Sequence, residues 1–202
     1  MRKPGKHTKP WFFPQQTTRA KVEACLRGQR LRVIFQDEGR FGRINVPRAC
    51  WAPLGIRPVC GKQIIREYAY AYIGVSPADG RLDSLILPNM AAPTMSLFLE
   101  EIADRYPDEY ILMVMDGAPC HISQDLTVPE NMLLANIPPH SPQLNPCENM
   151  FDEIREKFFP NLVFDSMDAV EQRLVCALNS LEANPHIVQS ITGWEWILKF
   201  VL

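Results

Sequence analysis

The chain lacks the features that would make it a membrane, secreted or zinc-clustered protein. No apolar run approaches the roughly 18 to 20 residues that span a bilayer. The basic N-terminus, MRKPGKHTKPWFF, is not followed by the apolar stretch of a signal peptide. A cytosolic protein is the simplest reading. Six cysteines are scattered along 202 residues with no CxxC pair, and Cys120–His121 is the single Cys/His neighbour pair. Structural zinc needs paired ligands at short spacing, so these read as buried reduced thiols. There is no internal repeat and no low-complexity tract.

Acidic residues are nearly missing from the first third. Residues 1–66 hold 15 Lys/Arg and 3 Asp/Glu, whereas residues 67–202 hold 6 and 20, so a net charge of -2 hides +12 against -14. Such a split suggests a polyanion-facing region on an acidic body, or equally a basic arm that folds back on that body.

What is present reads as an α/β chain. Residues 1–30 look like a basic arm or linker with a possible helix at Arg19–Arg27, and 31–202 like one domain. Leu31–Gln36 is an apolar β-prone run, followed by a turn-rich Asp37–Gly42. Arg43–Trp51 and Arg57–Ile65 are further candidate strands around a turn at Ala52–Ile56. Glu67–Val75 and Leu82–Leu87 form a hairpin about Pro77–Gly80.

Met95, Phe98, Leu99 and Ile102 have helical spacing in Thr94–Tyr106, with Thr94 as N-cap. Tyr110–Met115 is nearly all apolar, a central strand buried on both faces. Asn131–Ile137 is a short strand before the loop Pro138–Pro142. Helices are expected at Asn145–Phe159, with Met150, Phe151, Ile154 and Phe158 as the apolar stripe, at Ser166–Glu182 and near Pro185–Thr192. A meander followed by alternating helices and strands makes a mixed sheet with helices packed on it, the element order of a ribonuclease H-like fold among others. Trp51, Trp194 and Trp196 read as core or interface residues.

Three acids stand out. Asp37 and Asp116 each follow a buried-looking strand, where a carboxylate is exposed enough to bind a cation and rigid enough to hold it. Glu148 falls in the first turn of a helix. Carboxylates that converge repel one another unless a divalent cation supplies charge, and oxygen-only ligands suit Mg²⁺ or Mn²⁺. Each acid has a plainer role. Asp37 and Asp116 also suit turns. Asn145-Pro146-Cys147-Glu148 has the spacing of a capping box, and that local pattern favours a cap for Glu148.

Four blocks carry a family resemblance: Asp37-Glu38-Gly39-Arg40-Phe41-Gly42, Trp51-Ala52-Pro53-Leu54-Gly55, Asp116-Gly117-Ala118-Pro119-Cys120-His121, and Ser141-Pro142-Gln143-Leu144-Asn145-Pro146-Cys147-Glu148. In this order they resemble the signature blocks of DDE transposases, the bacterial insertion-sequence branch of the mariner-like superfamily, from about Leu31 to Gly193. The 32 positions between Asp116 and Glu148 are close to that superfamily's spacing. Gly117, His140 and Gln143 depart from it, where Asn, Tyr and Glu are frequent.

The resemblance implies a ribonuclease H-like fold with a mixed five-stranded sheet flanked by helices. It implies DNA strand cleavage and strand transfer by Asp37, Asp116 and Glu148 around two Mg²⁺ or Mn²⁺ ions, and so moves Glu148 from cap to ligand. The implied partners are double-stranded DNA (transposon ends and a TA-containing target) and a second copy of the chain on DNA; residues 1–30 are too short to hold helix-turn-helix modules, so the chain reads as a fragment, as a reading frame completed by a frameshift or by a separate helix-turn-helix polypeptide, or as a decayed remnant. The implied setting is the bacterial cytoplasm, at the nucleoid. Arg40, Arg43 and Arg48 follow the first aspartate and stand as DNA contacts, although Arg40 has carboxylates to pair with. His121 either touches DNA, positions a metal-bound water, or is a satisfied structural histidine. The alternatives are a nuclease without strand transfer and a degenerate or recruited DNA-binding protein.

Overall fold

The computed structural model describes residues 14–121 and 123–201, so the first 13 of the 30 residues expected to form a basic arm lie outside the described residues. Helix α1 (Pro14–Arg27) leads into strand β1 (Arg30–Ile44), followed by β2 (Ile64–Ser76), β3 (Arg81–Leu87), helix α2 (Ala92–Arg105), β4 (Glu109–Met115) and β5 (Met132–Asn136). A single 3-10 turn at Pro142–Leu144 precedes α3 (Cys147–Lys157), α4 (Met167–Glu182), α5 (Pro185–Thr192) and α6 (Glu195–Val201). The sheet has the order β3-β2-β1-β4-β5. The first three strands form an antiparallel meander, and β1, β4 and β5 run parallel.

Two hydrophobic layers cover the sheet. Val33, Phe35 and Phe41 of β1 face α3, α4 and α5 through Phe151, Leu174 and Val188. Ile34 faces α2 through Phe98 and Ile102, together with Tyr72 of β2. The run Tyr110–Met115 is buried throughout, as expected of a strand covered on both sides. No helix among the described residues is long and apolar enough to cross a membrane.

Several sequence expectations need correction. Asp37–Gly42 is not a turn. β1 runs straight through it, with Asp37 opposite Ile73 and Gly42 opposite Tyr68 on β2. Its glycines serve close approach rather than reversal. A Cβ on Gly39 would lie 2.4 Å from Cε1 of Phe151, and one on Gly42 would lie 2.2 Å from the Glu67 carbonyl oxygen.

The strands expected at Arg43–Trp51 and Arg57–Ile65 shrink to the ends of β1 and β2. Between them, residues 45–63 form an arm without regular structure, clasped at its base where Asn45 Oδ1 accepts from Gln63 N at 2.8 Å. With no neighbouring strand, Val46, Trp51, Leu54, Ile56 and Val59 stay exposed. Of the core and interface places expected for Trp51, the core is overturned: Trp51 is 103% exposed and Leu54 105%. Helix α2 starts two residues before Thr94, whose hydroxyl instead accepts from Ala91 N at 3.1 Å. Ser166 does cap α4, accepting from Ala169 N at 3.2 Å.

Candidate active site

The parallel pair β1 and β4 separates at Phe35 and Val114, their last paired residues. Asp37 and Asp116 each lie two positions further on. The crevice at the carboxyl ends of such strands is the usual binding position in open α/β sheets. The third acid arrives from the loop after β5. Asn145, buried in that loop, donates from Nδ2 to the Gln36 carbonyl at 2.9 Å and accepts from Cys147 N at 3.1 Å. The Cys147 thiol donates to the Phe35 carbonyl at 3.1 Å. These bonds pin the start of α3 to β1 just before Asp37, and so set Glu148 beside it.

Asp37, Asp116 and Glu148 line one cleft of about 330 Å³. Pro138, Pro139 and His140 form part of its wall, and His140 adopts φ 58, a left-handed conformation uncommon outside glycine. Neither lysine nor arginine lines the cleft among the described residues. Glu148 is not a helix cap. With α3 beginning at Cys147, Glu148 sits one residue earlier in the helix than a capping box requires, and the Asn145 side chain is already engaged.

The electrostatics follow from crowding. Burial, and then the neighbouring Glu148 carboxylate, push Asp37 up to about 7. Glu148 is also raised, by burial and by Asp152 and Asp116, against the pull of Arg155. Asp116 is lowered by its bond to His121. An oxygen-only donor set whose members resist ionising together suits a hard divalent cation, which would supply the missing charge.

His121 does not reach the surface. Its side chain is 0% exposed and lies between Glu38 and Asp116, with Nε2 2.8 Å from Glu38 Oε1 and Nδ1 2.9 Å from Asp116 Oδ1. Burial alone would lower its pKa, but these two carboxylates outweigh it and hold the ring up to about 11. The expected DNA contact is therefore corrected: His121 can influence DNA only through its partners. Glu38, Cys120 and His121 also bring potential ligand atoms within 4.8 Å of one another. Both ring nitrogens are already taken by carboxylates, which leaves no imidazole lone pair for a soft metal while those bonds last.

The three expected arginines separate. Arg43 is committed to the fold: it meets Glu67 Oε2 at 2.8 Å and donates to the carbonyls of Phe164 at 2.9 Å and Asp165 at 2.8 Å. Arg40 and Arg48 line a second cavity of about 280 Å³ with an apolar floor that includes Phe41 and Phe159. Arg40 lies over the Tyr68 ring at 4.5 Å. Arg155, which sequence reading passed over, joins this cavity from α3 and lies 5.4 Å from the Phe41 ring centroid. Its signal was the seven-residue step from Glu148, two helical turns on the same face.

Residues 32–171 match the family model of the DDE superfamily endonucleases, and the chain belongs to that family. An uncharacterized protein of Sinorhizobium fredii, y4pE/y4sA, is 32% identical over 130 residues, 64% of this chain and 96% of its own length. The fold is that of the Mos1 transposase core, ribonuclease H-like. The TM-score is 0.58 to a pre-cleavage Mos1 transpososome at 11% identity, over 100% of this chain and 67% of that one. It is 0.57 to the Mos1 mariner paired end complex with Mn at 14% identity, over 96% and 65%. The chain thus spans about two thirds of the Mos1 chains it matches.

Proposed function

We propose that the chain is the catalytic domain of a DNA transposase, in which Asp37, Asp116 and Glu148 hold two Mg²⁺ or Mn²⁺ ions, cut a DNA strand and join it to a target. The observation that carries this reading is the convergence of three carboxylates, from β1, the end of β4 and α3, on one cleft that has no cation in its lining. The bound ions would supply charge against the scissile phosphate and the acidity that readies water, and later a 3′-hydroxyl, for attack. Asp37 stands centrally, within the electrostatic reach of both other acids.

The DNA track is assigned to the neighbouring cavity. Helix α3 carries Glu148 on the cleft and Arg155 on the cavity, seven residues or about 10 Å apart along its axis. That span matches about three steps of a duplex strand. Arg40, Arg48 and Arg155 would grip backbone phosphates there. The exposed arm with Trp51 and Leu54 is assigned to a second copy of the chain on DNA; a Trp51→Ser variant that sediments with DNA as the parent does would refute that assignment.

The deciding experiment is Mn²⁺-dependent strand transfer with pre-cut transposon-like ends. Joined products support a transposase. Nicks without joined products support a nuclease, and DNA binding without either supports a recruited DNA-binding protein.

A further inference from the structure

We propose that Glu38 and His121 form a positioning pair that holds the Asp116 carboxylate in its cleft-facing orientation and thereby sets the affinity of the site for a divalent cation; this rests on the triad reading above. Neighbouring side chains on a strand point to opposite faces. Asp37 therefore goes to the cleft, while Glu38, opposite Tyr72 on β2, goes to the α2 face of the sheet. From there it reaches Asp116 from behind, through His121. One dipeptide of β1 thus serves two acids of the site.

The bonds leave little freedom. Glu38 Oε1 accepts from Gln36 Nε2 at 3.0 Å and faces His121 Nε2 at 2.8 Å. Across the ring, His121 Nδ1 lies 2.9 Å from Asp116 Oδ1 and 3.0 Å from the Asp116 carbonyl oxygen. Asp116 Oδ1 also accepts from Ala118 N at 2.9 Å. Both donors take the same oxygen, so Oδ2 is the one without a protein donor among the described residues. A carboxylate held by one oxygen can turn only about that anchor, and the other oxygen is presented in a narrow range of directions.

The pair is also costly to bury. The Glu38 side chain is 2% exposed and that of His121 0%. A buried carboxylate and imidazole are a weak way to gain stability, because apolar residues of the same volume often serve as well or better. Their placement behind a metal-facing carboxylate matches the outer-shell partners that orient metal ligands, whose loss typically costs about 10–100-fold in metal affinity.

The test is Mn²⁺ binding by isothermal titration calorimetry, with metal-free DNA binding and circular dichroism as controls. His121→Ala should weaken Mn²⁺ binding by about 10-fold or more, with metal-free DNA affinity unchanged. Glu38→Gln, which keeps an acceptor for the ring, should bind within about 3-fold of the parent, whereas Glu38→Ala should lose most of what His121→Ala loses. A folded His121→Ala or Glu38→Ala that binds Mn²⁺ like the parent overturns the positioning role. If His121→Ala does not fold, Glu38→Ala decides alone. No Mn²⁺ binding by the parent sinks the triad reading and this inference together; parental binding with unaffected variants sinks only the inference. Zn²⁺ binding tighter than Mn²⁺ that disappears in Cys120→Ala makes Glu38, Cys120 and His121 a metal site and overturns it as well.

Discussion

The two ends of the central strand pair handle charge in opposite ways. Near the start of β1, buried Arg32 is fully answered: Nε lies 2.8 Å from Glu109 on β4, Nη1 2.8 Å from Asp79 after β2, and the guanidinium 4.3 Å from the Tyr106 ring centroid. Beyond the last β1–β4 pair, Asp37, Asp116 and Glu148 gather with no arginine or lysine among them in the described residues. The first end closes the sheet; the second leaves it electrostatically unfinished. A fold optimised only for stability would treat both alike. The contrast supports the proposal that an outside cation completes the acidic end.

The sharpest way to break this comparison is to remove one acid at the unfinished end. Asp116→Asn and Glu148→Gln should each reduce Mn²⁺-dependent cleavage by at least about 10³-fold, with the native fold retained by circular dichroism. Retained cleavage in either variant would remove that residue from the site. The converse change at the finished end, Arg32→Met, should leave cleavage per folded molecule intact and lower unfolding free energy in urea by about 3 kcal/mol, since two carboxylates lose their partner. A stability loss below about 1 kcal/mol would show that end to be less dependent on its ion pairs than its geometry implies.

Stability against pH should also differ in sign. A group whose folded pKa is raised binds its proton more tightly when folded. Asp37, up at about 7, therefore costs the metal-free protein stability as pH climbs from about 4 to 7. Glu148, also raised, adds in the same direction. Asp116 is lowered, so its contribution is present at neutral pH and lost as pH falls through its folded value. Asp37→Asn should flatten the decline between pH 4 and 7 and raise metal-free stability at pH 7.5 by about 1–2 kcal/mol. Chemical unfolding at a series of pH values checks it, and a parental slope in the variant would contradict the assignment. Saturating Mn²⁺ should erase most of the difference between the two proteins.

The smallest effect separates the arginines. Arg155→Gln and Arg40→Gln should each weaken DNA binding several-fold and lower the salt slope by about 0.9. Arg43→Gln should leave the slope alone and cost stability, because its guanidinium bridges β2 and the segment before α4. Equal slopes for all three would place the DNA elsewhere.

Much of this architecture was legible in advance because it depends on local pattern. The apolar run Tyr110–Met115 and the helical spacing of Met95, Phe98, Leu99 and Ile102 report burial and geometry within a few residues of themselves. The errors have one source. Gly39 and Gly42 look like turn formers unless one knows that Phe151 and the Glu67 carbonyl press against them. Trp51 looks like core material unless one knows that nothing covers its part of the arm.

From the chain alone came most of the helices and strands outside residues 37–65, the charge asymmetry and the three acids worth naming, since each follows from composition, period or an ordered motif. Only the tertiary structure decided what those acids face. Glu148 leaves the capping role because α3 starts at Cys147, and the Asn145 N–H and Oδ1 go to the Pro142 carbonyl and Cys147 N, while Nδ2 ties the loop to Gln36, 109 positions away. His121 becomes a buried link because Glu38, 83 positions earlier, meets it behind the sheet. A side chain's exposure and partners are set by which distant segments the sheet brings together, and no local pattern carries that information.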